Sequence, residues 1–305
     1  MRQGWILRYW PTLIKRGVLG FLRDNCATHA AALAYYAVFS LPPLLLIAVA
    51  VAGSIADRST VVGSIYAEVN STLGQKAAQQ VVEALVAAQK SQESGSLLSI
   101  FGMIALGLSA TGAFNQLQSS LNQIWEVKPD PEQSEIRSFV AKRILSFGIV
   151  LGLGFLLMAS LLLSAILTSL SNIAYSYLPS GISVAFLYVV SNVVSLVVFA
   201  GLFSSMFRML PDAKVDWRES LFGGLATSFL FTGGKILIGF YLGRSEMSNA
   251  YGAAGSLAII LAWTYYASMI VLLGAEFTRA WAQGKGSPVP EPGAMRVKHQ
   301  EMRVG

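Results

Sequence analysis

The stretch HAAALAYYAVFSLPPLLLIAVAVAGSIA, His29 to Ala56, decides the fold class. It is apolar for longer than the ~20 residues a helix needs to cross a hydrocarbon core. Pro42 and Pro43 nevertheless sit in its middle. Each proline removes a backbone donor and frees a carbonyl, which in hydrocarbon must be answered by neighbours, hydroxyls or water. The pair predicts a helix break near mid-membrane, with Ser40, Tyr35 and Tyr36 placed to line it. A static kink is the plainer alternative.

Composition extends this reading to the whole chain. Of 305 residues, 54% are hydrophobic and 12% charged, about half the charge of a soluble domain. Apolar runs of membrane-spanning length recur at about 30–56, 97–118, 141–170, 181–209, 219–242 and 253–280. The expected fold is therefore all-α: a polytopic, six-helix transmembrane bundle forming one integral-membrane domain over 1–282. The tail 283–305, rich in Gly, Pro and charge, is expected to be a disordered cytoplasmic segment. The first 22 residues lack a compact apolar core followed by a small-residue cleavage site, so no cleavable signal peptide is expected.

Lysines and arginines sort by side. The N-terminal arm carries five, 119–143 four, 208–218 three and the tail from Arg279 five, seventeen in all. The opposite side carries four: Arg58, Lys76, Lys90 and Arg244. Positive residues stay cytoplasmic, so both termini are expected inside a bacterial cytoplasmic (inner) membrane. The same sorting accounts for the net charge of +6 and leaves no basic patch with stacking aromatics, so nucleic acid is not an expected partner. One cysteine, Cys26, and two histidines, His29 and His299, offer no metal cluster. No cofactor is expected.

Two segments outside the spans have amphipathic spacing. WILRYWPTLIKRGVLGFLRD places Arg8, Lys15 and Arg23 at helical intervals among aromatic and aliphatic residues, the pattern of an interfacial helix on anionic headgroups. In the first periplasmic loop, Val62, Ile65, Val69 and Leu73 are followed, after Gly74, by Val81, Val82 and Leu85. Two short amphipathic helices lying on the outer leaflet or capping the bundle fit this spacing.

Polar residues inside spans are costly and mark sites. Lys235 belongs to a stripe with Gly224, Ser228, Thr232 and Gly239 that suits a helix interface or an aqueous groove. It reads either as a substrate-binding cation, with Thr232 and Ser228, or as a lysine snorkelling to the outer headgroups. Near the inner face, Asp24, His29, Asn115, Gln118, Glu276 and Arg279 share one depth, and Thr111, Asn115, Gln118 and Asn122 form a polar stripe. Together they predict a polar vestibule open to the cytoplasm. The plainer alternative is helix capping and an interfacial Glu276–Arg279 pair.

Several ordered motifs carry a resemblance. DNCATHAAALAYYAVFSLPP (24–43), LNQIW (121–125), MLPDAKVDW (209–217), YGAAGSL (251–257), WTYY (263–266) and LLGAEFT (272–278) resemble the YihY/BrkB family of bacterial inner-membrane proteins. The resemblance implies a six-span protein linked to envelope integrity and to transport. The ribonuclease BN label that many members carry finds no support here, because the cytosolic acids are scattered through short loops and form no metal-binding carboxylate cluster.

The leading functional expectation is a transporter-like protein that moves an amphiphile, a phospholipid or other envelope lipid, across the membrane. No G-x-x-x-x-G-K-[ST] loop is present, so it would act without its own ATPase. The alternative is a non-transporting scaffold for envelope integrity. An enzyme is not expected, since no nucleophile–base constellation stands out. Membrane lipids are the expected partners. The pairs Gly148/Gly152 and Gly239/Gly243 leave a homo-oligomer or a partner in envelope machinery open.

Overall fold

The computed structural model describes residues 3–52, 57–93, 112–129, 182–244, 253–283, 289–290 and 294–296. These are mostly helical: α1 (Gln3–Arg23), α2 (Cys26–Ala52), α3 (Arg58–Leu73), α4 (Gln75–Glu93), α5 (112–124), α6 (Ile182–Met209), α7 (Trp217–Arg244) and α8 (Ala253–Gln283). Four expected spans coincide with α2, α6, α7 and α8. The span expected at 141–170 and most of that at 97–118 lie outside the described residues. Within α8, Leu257–Gln283 is long and apolar enough to cross a membrane by length and composition.

Helix α8 is the hub, packing on α1, α2 and α7, while α6 packs along α7. The α7–α8 seam is close because glycines and threonines alternate across it. A Cβ on Gly223 would meet Thr278 Oγ1 at 1.7 Å, and one on Gly274 would meet Thr227 Oγ1 at 1.8 Å. Each threonine hydroxyl donates to a carbonyl of its own helix, Thr227 to Gly223 and Thr278 to Gly274, so no polar group is stranded in the seam. On the other side of α7, Gly224 lies against Ser204 of α6. The main core gathers Cys26, Leu33, Leu121, Phe203, Phe207 and Leu272 from α2, α5, α6 and α8.

Two expectations change here, and one left open is narrowed. Helix α2 runs unbroken from Cys26 to Ala52, through Pro42 and Pro43, where a helix break was expected. Proline's φ near −65° is compatible with a helix, and the Ser40 hydroxyl donates to the Ala37 carbonyl at 3.0 Å just ahead of the pair. The tail is not wholly without structure. Val289–Pro290 pairs antiparallel with Ala213–Lys214, and Ala294–Arg296 with Val127–Pro129. Both loop segments adjoin a buried cluster of Trp125, Val127, Ala213, Val215 and Ala282, where exposed backbone edges need partners.

Third, α3 and α4 form a hairpin over the far end of α2. They meet at Gly74, whose φ of 87° suits a residue without a Cβ. Val61 and Ile65 of α3 and Leu85 of α4 close on Val49 of α2, with Val62, Val69 and Val81 at the edge. Of the two arrangements open from the spacing, the helices cap the bundle. Val49 lies 23 positions along α2 from Cys26, roughly 35 Å at 1.5 Å per residue. The bundle thus has a hairpin end and, opposite it, an end built around Asp24.

Candidate functional site

At the Asp24 end the chain turns between α1 and α2 with Asn25 at φ 49°, a left-handed conformation that asparagine tolerates. The turn aims the Asp24 carboxylate inward, where it is buried. Arg279, on the last turns of α8, donates through Nη1 to Asp24 Oδ2 at 3.0 Å and through Nη2 to Glu126 Oε1. Arg23 donates through Nε to Asp24 Oδ1 at 2.9 Å and through Nη2 to Oδ2 at 3.0 Å, with Glu126 Oε1 at 3.7 Å. The two arginines differ in setting: the Arg279 side chain is 6% exposed and that of Arg23 49%.

Glu126 reaches the cluster because α5 ends there with Glu126 at φ 55°. A non-glycine residue in that region is uncommon, and both guanidiniums face the carboxylate that the turn delivers. Burial alone would push the Asp24 carboxyl up. Hydrogen bonds from Arg23 and Glu276, and the charges of Arg23 and Arg279, outweigh it and hold Asp24 below the usual carboxylate range.

Glu276 completes the group, one turn before Arg279. It is 2% exposed, and its Oε1 has no hydrogen-bond partner among the described residues. Helix α1 seals it: a Cβ on Gly20 would lie 2.2 Å from Glu276 Oε2, and one on Gly17 would lie 2.2 Å from the Phe277 ring. Only glycine at both positions lets α1 lie this close.

Around this centre the loops clasp one another. Asn122 Nδ2 donates to Asp212 Oδ2 at 2.9 Å, and the Asp212 backbone N–H donates to Asn122 Oδ1 at 2.7 Å. Gln123 Nε2 donates to the Asp24 carbonyl at 3.1 Å, and Gln116 Nε2 lies 3.3 Å from His29 Nδ1. Arg208 donates to the Val215 carbonyl at 2.9 Å and stacks 4.6 Å over Trp217. The LNQIW and MLPDAKVDW motifs are therefore two halves of one junction.

Of the expected vestibule, Asp24, Glu276 and Arg279 meet, and their setting is closed and largely self-neutralised, not open. Buried charges without mutual partners would be too costly to keep dry. The polar face of α5 is displaced from the expected stripe. Gln116 reaches His29 of α2 and is bonded to Ser120, and Gln123 reaches the turn before α2, whereas Asn115 is exposed, Gln118 is half-buried and Asn122 turns to Asp212. His29 touches the cluster's margin through Gln116. Thr111 lies outside the described residues.

The second expected group does not assemble among the described residues. Tyr35, 59% exposed, faces outward with Phe39, their ring centroids 5.1 Å apart, while the Tyr36 ring, 5.7 Å from that of Tyr35, lies against Gly112 of α5. Ser40 is buried on its own helix. Ser228 is buried, and its hydroxyl donates at 2.8 Å to the Leu196 carbonyl of α6, so it serves the helix interface. Thr232 is half-buried. Lys235 holds a helical position in α7, and its side chain lies outside the described residues.

Residue types missed from sequence were Arg23 and Glu126, counted there as topology and loop charges, and Gln116 and Gln123. The helical spacing of 116, 120 and 123 is the signal that would have found the glutamines. Among the described residues no group of His, Cys, Asp and Glu is arranged to hold a metal ion.

The family model for virulence factor BrkB matches residues 18–297. A UPF0761 membrane protein of Azotobacter vinelandii is 28% identical over all of this chain and 73% of its own length. One from Pseudomonas paraeruginosa is 26% identical over 93% of this chain and 68% of the relative. One from Alkalilimnicola ehrlichii is 30% identical over 86% of this chain, which spans only 56% of that relative. No solved structure matches. With a match running from the middle of α1 through the tail strands, and relatives named as membrane proteins, the chain belongs to the BrkB family of membrane proteins.

Proposed function

We propose that this protein lets an amphiphile, a phospholipid or other envelope lipid, cross the cytoplasmic membrane without its own ATPase, and that the Asp24–Arg279–Glu126 cluster is the closed gate at its cytoplasmic end. The observation that carries this reading is the burial of three ionisable side chains, Asp24, Glu276 and Arg279, where α1, α5 and α8 meet, with Glu126 half-buried beside them. A passive end of a bundle is held as well or better by apolar packing, and ionisable groups in a membrane protein are by default functional candidates. The gate neutralises itself when shut. On opening it would offer two guanidiniums to a phosphate headgroup, whose oxygens suit their fork of donors. The excess of positive residues on the loops at this end supports a cytoplasmic placement.

Reconstitution into phospholipid vesicles tests the reading. A trace of headgroup-labelled phospholipid is placed in both leaflets, and a membrane-impermeant reagent bleaches the outer one. Active protein is expected to bring nearly all label within reach, against about half in protein-free vesicles. Label confined to the outer half with folded protein would sink transport and favour the envelope scaffold, for which the α3–α4 hairpin is the available docking surface.

A further inference from the structure

We propose that Glu276 is a proton-binding site, and that its occupancy decides whether α1 stays docked on α8. The charges around it do not balance without a proton. Two guanidiniums, Arg23 and Arg279, are committed to two carboxylates, Asp24 and Glu126. Glu276 is the third carboxyl, and among the described residues no further cation is paired with it. Its Oε1 is buried and, among the same residues, unpartnered, and the Gly20 backbone of α1 closes over it. An ionised carboxylate there would be a buried, uncompensated charge, which proteins avoid by neutralising the group. A neutral acid fits, because its hydroxyl can donate to the Asp24 carboxylate beside it.

Among the described residues the groups around Glu276 are Arg23 from α1, Asp24 in the turn, Cys26 at the start of α2 and Arg279 on α8 itself, with Glu126 on the far side of Arg279. None is a free cation that could take over the charge. Loss of the proton to water therefore requires water at Glu276, and α1 is the lid over it. Helix α1 is suited to leave. It holds α8 through Gly17 and Gly20, while Ile14, Val18 and Leu22 on its other side are exposed and lie ready for a lipid surface. The inference deepens the gate reading, on which it rests for what the movement would serve. The proton and the movement are measurable without any transport.

The test is hydrogen–deuterium exchange of the α1 backbone in lipid nanodiscs across a pH series, corrected for intrinsic exchange. One proton released on opening raises the open population about tenfold per pH unit wherever Glu276 is ionised in the open state and still protonated in the closed one. Wild type should follow that slope on the alkaline side. Glu276→Gln, which keeps the shape and cannot ionise, should stay protected throughout. Gly20→Ala, whose added Cβ displaces α1 from the carboxyl, should exchange rapidly at every pH. Infrared difference spectra of wild type should show a protonated-carboxyl stretch that disappears over the same range, which needs no variant to fold. A flat pH response of α1 in wild type, or no carboxyl band at any pH, overturns the proposal. Vesicles that fail to exchange lipid while α1 shows the slope would sink the transport reading alone.

Discussion

The two ends of this bundle are closed in opposite ways. At one, α3 and α4 fold back as neighbours in sequence and cover Val49 with Val61, Ile65 and Leu85. At the other, Asp24, Glu126 and Arg279 come together across 255 and 153 positions of chain and bring charge with them. Aliphatic closure is non-directional and loses stability in small steps as methyl groups are removed. Charge closure depends on each partner being in place, because every group lost leaves another buried and unpaired. The hairpin end should therefore yield gradually and locally. The charged end should fail all at once, and an end that can fail as a unit is the end that can open as a unit.

The largest expected effect follows from that contrast. Arg279→Met keeps most of the side-chain volume but removes the buried partner of Asp24 and Glu126, leaving both to the half-exposed Arg23, and should cost about 3 kcal/mol, read as thermal unfolding in detergent. Neutralising all three positions together (Asp24→Asn, Glu126→Gln, Arg279→Met) should recover most of the loss. Equal damage from the triple variant would show that the charges matter for more than their mutual balance. Acid probes the same contact. Because Asp24 is held below the usual carboxylate range, its contribution is present above that range and is lost as pH falls through its lowered pKa. Asp24→Asn should flatten this acid limb.

At the hairpin end, Ile65→Val removes one methylene from a buried position and should cost about 1 kcal/mol. Amide exchange is expected to quicken in α3 and α4 alone. Faster exchange in α1 or around Asp24 would mean that the two ends are coupled through the bundle, and the contrast between them would have to be abandoned.

What could be read from sequence divides along the same line. The two helices of the hairpin were legible because period is local, valines and isoleucines recurring at helical spacing on either side of Gly74, whereas their packing on Val49 was one of two open placements. Four helices were legible from apolar length. Asp24, Glu276 and Arg279 were placed together by depth, a one-dimensional coordinate that topology supplies. Depth does not supply azimuth. The α5 stripe was therefore read through Asn115 and Gln118 when Gln116 and Gln123 make the contacts to His29 and the Asp24 turn, a rotation that only the packed neighbour decides. Glu126 was passed over because its arrival depends on a left-handed turn at a residue that seldom takes one. The prolines misled for a related reason. A missing donor is visible in sequence, whereas the neighbouring groups that let α2 continue belong to the folded chain.

The smallest expected effect isolates burial from chemistry. Arg23 and Arg279 are the same residue type, contact the same two carboxylates and differ chiefly in exposure, 49% against 6%. Water already solvates the outer guanidinium, and its removal leaves Asp24 still held by Arg279 at 3.0 Å. Arg23→Gln should then cost no more than about 1 kcal/mol, the range of exposed ion pairs, and the loss should shrink as salt is added because exposed charges are screened within about 10 Å at 0.1 M. The deficit of Arg279→Met should persist in the same salt series. A salt-resistant loss at Arg23 approaching that at Arg279 would mean that the cluster is closed to ions on the α1 side as well. Water would then have no way to Glu276 short of displacing α1 altogether.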